Sequence, residues 1–299
     1  MIIRPYSAQD APQAIQLWNA TLTEDKLNQE NFYTRIICDA AFDPALYLLA
    51  EDAGELVGFI YGTHNGTKGW IIAMGARDPR QGIGRALVDT LTTKLKALGI
   101  TQVDVGNYAG HYFFPGVDRK NYAGAIEFFT ALGFEDTGMC ASMDMNLRQY
   151  RTPEKYLAKQ QTLESQGYTF APYCWEDSLA LFAFFQTHFP YWADIARTNI
   201  LRGDGGETIQ LAKDPTGQVV GFAMRAMDGT PGRFGPFGVA STQQGTGLGG
   251  ILFHRLIRDM VERRIFYTWF LWTGGRNLDI YGAWGMHQYR SYTVFSKTL

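Results

Sequence analysis

Cysteine is scarce in this sequence of 299 residues, which contains only three. Cys38, Cys140 and Cys174 lie far apart along the chain and form no closely spaced pair. An odd number of widely spaced cysteines argues against a disulfide framework and against a zinc knuckle, whose ligands come in close pairs. We therefore expect free or buried thiols in a reducing compartment, and no metal site.

Long apolar runs and a dominant charge are missing as well. No stretch approaches the roughly 20 apolar residues of a membrane-spanning helix, and the opening segment MIIRPYSAQDAPQAIQLW lacks the features of a signal peptide. The 27 basic and 29 acidic residues leave a formal net charge of −2. The basic residues form no stripe of the kind that nucleic-acid binding requires. These absences predict a cytoplasmic protein that binds neither membranes nor nucleic acids.

Glycine, in contrast, is plentiful, and two glycine-rich stretches look like copies of each other. The first reads RQGIGRAL over residues 80–87, and the second reads QGTGLGGIL over residues 244–252. Aligning Gly82 with Gly247 also aligns Gly84 with Gly249. Each stretch follows a strand-like run and leads into a run with helical apolar spacing, so both are predicted turns between a strand and a helix.

The resemblance between the two halves continues on both sides of the glycine stretches. Upstream, each half has two strands around a turn, at 52–54 and at 214–217, and downstream each has a strand and then a short helix that ends in glycine and an apolar residue. This order predicts two copies of one domain, at 1–148 and 167–299. A linker helix is predicted within 149–166, with Thr152 as its N-cap and Pro153 at its first position.

The second glycine stretch, QQGTGLGG, matches two patterns at once. Gly245, Gly247 and Gly250 form G-x-G-x-x-G, which is typical of dinucleotide sites, whereas Gln244, Gly247 and Gly249 form Q-x-x-G-x-G. Either turn would aim backbone N–H groups at an anion. No lysine followed by serine or threonine follows the glycines, which excludes a P-loop. A dinucleotide site is disfavoured because the loop follows an antiparallel hairpin and no acidic residue ends the next strand.

The second pattern, in this order of elements, resembles the GNAT acyltransferase superfamily. The resemblance rests on Gln244-x-x-Gly247-x-Gly249, on the preceding hairpin, and on Tyr281-x-x-x-Gly285 after the next strand. It implies an α/β (α+β) fold of two tandem domains, each a mixed, largely antiparallel twisted sheet flanked by helices. A V-shaped split would separate the fourth and fifth strands and hold acetyl-CoA as co-substrate, with no metal. The acceptor would be the amine of a small molecule or a peptide.

The resemblance also implies which residues bind acetyl-CoA. The expected residues of the second domain lie at the end of the fourth strand, in the loop and at the next helix: Gly238, Val239, Gln244, Gly245, Thr246, Gly247, Leu248, Gly249, Gly250 and Asn277. Those of the first domain are Arg80, Gly82 and Gly84. Because Pro79 stands where the family has glutamine or arginine, we expect weaker binding, or none, in the first domain.

A tyrosine that can protonate the departing thiolate is the last implied feature. Tyr281 has this place in the second domain, whereas the first has Phe129, which cannot donate a proton. We therefore expect catalysis in the second domain, a degenerate first domain, and direct transfer in a ternary complex without an acyl-cysteine. The chain would be a monomer, as a pseudo-dimer of domains, or a homodimer. An alternative is a non-catalytic acyl-CoA sensor or regulatory module.

Other polar residues near these motifs suggest no clear catalytic base. Glu207 and Asp228 are interpreted as surface acids, and His254, in the helix after the second loop, is predicted to lie on the surface. The stretch 111–118 lengthens a connection in the first domain, and we expect it to contact the second domain.

Overall fold

The computed structural model describes residues 1–78, 81–108, 110 and 114–299. They divide into two compact units, and each unit is assembled from separate segments. The first unit contains 1–142, 271–276 and 289–299, and the second contains 143–270 and 277–288. The units differ from the predicted domains at 1–148 and 167–299 because each half of the chain contributes a segment to the other unit.

The first half of the chain supplies helices and strands in the predicted order of helix, hairpin, strand, loop, helix and strand. Its elements are β1 (Ile2–Pro5), α1 (Ala11–Thr21), α2 (Gln29–Phe32), β2 (Tyr47–Asp52), β3 (Glu55–His64), β4 (Lys68–Ala76), α3 (Ile83–Ala97), β5 (Gln102–Val105), β6 (Val117–Asp118), α4 (Ala123–Ala131) and β7 (Glu135–Asn146).

The second half repeats this order after a connecting helix. Its elements are α5 (Glu154–Ser165), β8 (Thr169–Pro172), α6 (Ser178–His188), α7 (Ala193–Arg202), α8 (Gly205–Thr208), β9 (Ile209–Lys213), β10 (Val219–Arg225), β11 (Phe234–Val239), α9 (Leu248–Glu262), β12 (Tyr267–Thr273), α10 (Arg276–Ala283) and β13 (His287–Thr298). The helix α5 lies inside the predicted linker, but Pro153 is its N-cap, so the expected Thr152 cap is wrong. Among the described residues, no helix is both long and apolar enough to cross a membrane.

The sheet of the first unit contains the predicted split between its fourth and fifth strands. Strands β1 to β4 are antiparallel neighbours, and β5 then pairs with β4 in parallel from Lys68 with Gln102 to Ile71 with Val105. Beyond this point β4 continues to Ala76 while β5 has ended. Parallel strands that part in this way leave backbone groups free at the gap.

The second unit has the same split with even less pairing. Strands β8 to β11 form an antiparallel sheet in the order β11-β10-β9-β8. One parallel bridge, between Arg233 and Trp269, connects this part of the chain to β12. Arg233 is the residue before β11, so β11 itself, Phe234–Val239, runs free of β12. Both units thus have the mixed sheet, the flanking helices and the split that the sequence predicts.

Each unit is completed by a strand from the other half of the chain. In the first unit, β13 pairs with β5, where Phe295 opposes Val105, and with β6, where Tyr292 opposes Asp118. Phe295 is buried in the same apolar core as the α3 leucines. In return, residues 143–147 after the middle of β7 place Met143, Met145 and Leu147 in the core of the second unit. Their apolar side chains fix where these segments pack.

Candidate functional site

The glycine loop of the second unit turns the chain from β11 into α9 through two residues in the left-handed region. Gly245 has a φ of 80° and Gly247, the N-cap of α9, has a φ of 88°. Side chains with a Cβ are strained in this region, so glycine is required here. The first N–H groups of a helix have no acceptor within it, and Gln244 and Gly245 are exposed. The loop can therefore receive an anion.

The loop is held in place by its own side chains and by Tyr168. Thr246 Oγ1 donates a hydrogen bond of 2.7 Å to the carbonyl of Gln243, and Tyr168 Oη donates one of 3.0 Å to Gln243 Oε1. Neither bond uses the N–H groups of Gly249 and Gly250 at the start of α9. A fixed turn loses little conformational freedom when it binds a ligand.

The three loop positions after Gly247 pack against other elements. Leu248 is fully buried. A Cβ at Gly249 would lie 3.3 Å from the Phe237 ring, and a Cβ at Gly250 would lie 2.3 Å from the Tyr156 ring of α5. Gly250 is thus a glycine because Tyr156 covers it. This packing accounts for the third glycine of the G-x-G-x-x-G pattern without a dinucleotide.

The free part of β11 presents Gly238 and Val239 beside the split. A Cβ at Gly238 would lie 2.6 Å from the Phe189 ring, so that aromatic side chain covers β11 at this point. Phe189 thus contacts the strand that carries two of the expected site residues. Val239 lies near Gly249, with Val239 Cγ2 3.6 Å from the position of an added Cβ.

Tyr281 lies in α10, half-buried within a group of aromatic rings. Its ring centroid is 4.8 Å from that of Phe270, 5.9 Å from Phe234 and 5.6 Å from Trp284. Burial raises the pKa of the Tyr281 hydroxyl above its usual value near 10. At neutral pH the group is therefore protonated and able to donate. Asn277, the second residue of α10, is exposed.

In the first unit, the equivalent loop has the same turn at Gly82, which has a φ of 80° and is the N-cap of α3. A Cβ at Gly84 would lie 3.1 Å from the Phe128 ring, so this glycine also packs. Arg85, in the first turn of α3, is exposed. Pro79 and Arg80 lie outside the described residues, and so do residues 111–113 of the long connection.

Sequence reasoning missed a cavity in the first unit, at the split between β4 and β5. It has a volume of about 70 Å³. Its walls come from β4, from the end of β5 and from other parts of the unit. They include Leu22, Ile72, Val105, Phe114, Tyr122 and Phe129. Among these, the sequence analysis had singled out Phe129 and, within the stretch 111–118, Phe114. The cavity depends on where β4 and β5 part, and no local sequence pattern indicates that point.

A charged cluster borders this cavity. Arg290, on β13, pairs with Asp25 through two bonds of 2.6 and 2.9 Å and with Asp118 through one of 2.6 Å. Tyr122 Oη donates to Asp25 at 2.8 Å. Burial alone would raise the pKa of Asp118, but the N–H groups of Asn121 and Lys120, together with Arg290, lower it. The buried carboxylate is thus stabilised in its charged form.

One polar residue, His254, differs from what the sequence suggests. His254 is not on the surface: it is 2% exposed, its Nδ1 lies 2.7 Å from Tyr150 Oη, and burial lowers its pKa to about 4. Val117 and Asp118, at the end of the long connection, pair with β13, which comes from the second half of the chain.

Two of the acids noted in the sequence form ion pairs, and one thiol is deeply buried. Glu207 pairs with Arg263 at 3.0 Å and Asp228 with Arg233 at 3.2 Å. Burial raises the pKa of the Cys140 thiol to about 12. In the part of the chain that the structure describes, no three histidine, cysteine or acidic side chains are grouped so that they could hold a metal ion.

Comparison with known proteins gives one family and one curated relative. The Acetyltransferase (GNAT) family matches residues 12–134. An acetyltransferase of Sodalis glossinidius (strain morsitans) is 42% identical over 65 residues, which are 21% of this chain and 46% of that protein. This chain therefore matches less than half the length of that relative. The family match lies in the first half, the part that sequence reasoning regards as degenerate.

Solved structures resemble the chain over nearly its whole length. A GCN5-related glucosamine N-acetyltransferase region of a fungal multi-domain β-N-acetylglucosaminidase has a TM-score of 0.85 at 20% identity, over 99% of this chain and 38% of that one. A GCN5-related N-acetyltransferase from Sphaerobacter thermophilus has a TM-score of 0.75 at 17% identity, over 99% and 95%. A tandem GNAT protein of the clavulanic acid pathway has 0.69 at 14% identity, over 99% and 98%. These likenesses establish the shared fold.

Proposed function

Because residues 12–134 match the GNAT acetyltransferase family and the whole chain shares the fold of solved GNAT proteins, we propose that it transfers an acetyl group from acetyl-CoA to an amine and that its second unit performs the chemistry. The observation that carries the proposal is the combination of three features in one unit. The free edge of β11, the exposed turn at Gly245 and Gly247, and the protonated Tyr281 belong to neighbouring elements. They supply places for the pantetheine, for the pyrophosphate and for the departing sulfur.

The free edge of β11 would bind the pantetheine arm. Its amides resemble peptide groups and can pair with the backbone of β11 where β12 does not. The pyrophosphate would then accept hydrogen bonds from the N–H groups between Gly245 and Gly250, at the positive end of α9. The exposed Asn277 is available to a pantetheine amide at the start of α10.

Tyr281 would act as the proton donor of the reaction. The amine nitrogen attacks the thioester carbonyl carbon, and the tetrahedral intermediate collapses as its C–S bond breaks. The proton of Tyr281 Oη passes to the thiolate sulfur, while the amine loses its proton to water. Burial raises the pKa of a thiolate in the same apolar surroundings as it raises that of Tyr281, which keeps the two groups matched. The transfer would be direct, without an acyl-cysteine.

The cavity of the first unit favours a second candidate function. It lies at the equivalent split and is lined mostly by apolar side chains, but Phe129 offers no proton there. We propose that this site binds an acyl-CoA more weakly than the second site and without turnover, as a sensor or regulatory module would.

The acceptor is proposed only as an amine. The protein with the highest of the three TM-scores contains a region that acts on glucosamine, so amino sugars belong in the assay beside polyamines, amino acids and peptide N-termini. Release of free thiol from acetyl-CoA would be measured for each amine. Thiol release with none of them, in a folded protein that binds acetyl-CoA, would favour the sensor over the enzyme.

Calorimetric titration of the full chain with acetyl-CoA tests both candidates. We expect one tight site and either no second site or one that is at least about tenfold weaker. Two sites of equal affinity would contradict the assignment of unequal roles. A melting temperature that NAD raises and acetyl-CoA does not raise would overturn the proposed function as a whole.

A further inference from the structure

The second glycine loop has no cation in its own sequence. From Ser241 to Gly250 the chain contains neither lysine nor arginine, whereas the first loop has an exposed Arg85 in the first turn of its helix. In the alignment of Gly82 with Gly247, the partner of Arg85 is Gly250. A pyrophosphate at the second loop would therefore find backbone N–H groups there but no positive side chain from the loop itself.

The connecting helix α5 brings a lysine to this place. Tyr156 of α5 covers Gly250 and packs against His254, with ring centroids 4.1 Å apart and the rings tilted by 39°. One turn further along α5, Lys159 lies against Gly247. A Cβ at Gly247 would be 3.2 Å from both Lys159 Cγ and Lys159 Cε. The ammonium group, one bond beyond Cε, is thus held at the start of α9, and the side chain is exposed.

The electrostatics of Lys159 indicate an anion. The start of a helix carries partial positive charge, so a cation beside it is unfavourable unless an anion lies between them. The first turn of α9 contains no acidic residue. Within the described residues, Lys159 forms no ion pair with a carboxylate. A lysine without a counter-ion, packed beside free N–H groups, has the charge and position of a phosphate ligand.

We propose that Lys159 is a phosphate-binding residue of the acyl-CoA site in the second unit, supplied by the connecting helix in place of the arginine that the first loop carries in its own helix. This inference rests on the proposed function. It also gives α5 a role beyond connecting the two halves, because the helix that buries Gly250 brings the cation to the loop. The phosphate is either the pyrophosphate or the 3′-phosphate of CoA.

Calorimetric titration of full-length variants with acetyl-CoA tests the proposal. Lys159→Ala should weaken binding about five- to tenfold, which is the range for losing one partly exposed, charge-assisted hydrogen bond. Lys159→Arg should retain most of the affinity. The matched control is Lys155→Ala, on the same helix, whose ammonium lies 4.9 Å from the centroid of the Tyr156 ring and should not contact the phosphates.

Repeating the titration with 3′-dephospho-CoA identifies the phosphate. A loss on Lys159→Ala that persists points to the pyrophosphate, and a loss that disappears points to the 3′-phosphate; both support the proposal. In about 0.5 M salt the loss should shrink, because exposed charges are screened. Affinity of Lys159→Ala within twofold of the wild type, or an equal loss in Lys155→Ala, would overturn the proposal while leaving the proposed function intact. A wild-type protein that binds no acetyl-CoA would overturn both.

Discussion

The two glycine loops have the same backbone turn in different surroundings. Gly82 and Gly247 are both N-caps with a φ between 80° and 88°, and each starts a helix of 15 residues. In the first unit the next turn exposes Arg85, whereas in the second unit Gly250 is buried beneath Tyr156. A shared turn therefore does not imply a shared site, because the residues that cover it decide which charges a ligand meets.

The two splits differ in a complementary way. At the first, β4 and β5 part around a cavity that includes Phe129. At the second, the side chain at the equivalent place is Tyr281, surrounded by Phe234, Phe270 and Trp284. The first unit thus has a cavity but no donor at its split, while the second has a hydroxyl donor. This contrast is the basis for proposing a binding role for one unit and catalysis for the other.

The strongest test of the contrast removes the hydroxyl donor of the second unit and compares this with a change at the equivalent position of the first unit. Tyr281→Phe removes only the hydroxyl, so we expect turnover to fall by about 10²–10⁴-fold with little change in acetyl-CoA affinity. Phe129→Leu is the control, and turnover should stay near the wild-type value because Phe129 only packs. The measurement is thiol release with the best amine of the panel. Full turnover in Tyr281→Phe, where chemistry limits the rate, would mean that Tyr281 is not the acid. Inactivity of a folded Phe129→Leu protein would mean that catalysis belongs to the first unit.

The charged cluster beside the first cavity should matter for stability. Arg290→Met leaves the carboxylate of Asp118, which is 1% exposed, without its cation. We expect the free energy of unfolding in urea to fall by about 3 kcal/mol, as is usual when one partner of a buried pair is removed. Arg263→Met, which breaks exposed pairs with Glu207 and Asp259, should cost less than about 1 kcal/mol. Equal losses would mean that Arg290 does not hold β13 in the first unit.

A matched pair of glycine variants sharpens the comparison of the loops. Gly247→Val and Gly82→Val impose similar backbone strain, because both positions have positive φ. Only Gly247→Val should abolish the stabilisation by acetyl-CoA, which amounts to about 2.7 kcal/mol at a ligand concentration of 100 times Kd. Melting temperatures with and without acetyl-CoA measure this difference. If Gly82→Val abolishes it instead, the tighter site lies in the first unit.

The helix α5 makes the stability of the second unit sensitive to pH. At the position of His254 in α9, α3 has the exposed Asp89. His254 has a pKa of about 4 when folded and near 6.5 when unfolded, so the unfolded chain binds the extra proton between these values. Stability is therefore full above pH 6.5 and falls as the pH decreases toward 4. From pH 7.5 to 5.5 the wild type should lose about 1 kcal/mol more than His254→Gln, measured by urea unfolding. Parallel pH profiles would contradict this.

Much of the site follows from local patterns. Positive φ at Gly82 and Gly247 is predictable because a strand must turn sharply into a helix there, and the hairpin at Ala53 and Gly54 likewise follows from its turn residues. The roles of Gly250 and His254 were not predictable. Both depend on α5 lying against α9. The sequence of α5, EKYLAKQQTLES, is largely polar and does not indicate which surface the helix covers.

The sequence by itself determined the order of strands and helices, the two tight glycine turns, and the single tyrosine in the expected place, because apolar spacing and glycine act over a few residues. Only the tertiary structure decided that β13 completes the first unit, that residues 143–147 enter the second core, and that Lys159 reaches the start of α9. Strand pairing and helix packing join residues that are distant along the chain. A strand with suitable apolar side chains can satisfy its hydrogen bonds beside any edge, so its partner is chosen by the assembled cores rather than by its own sequence.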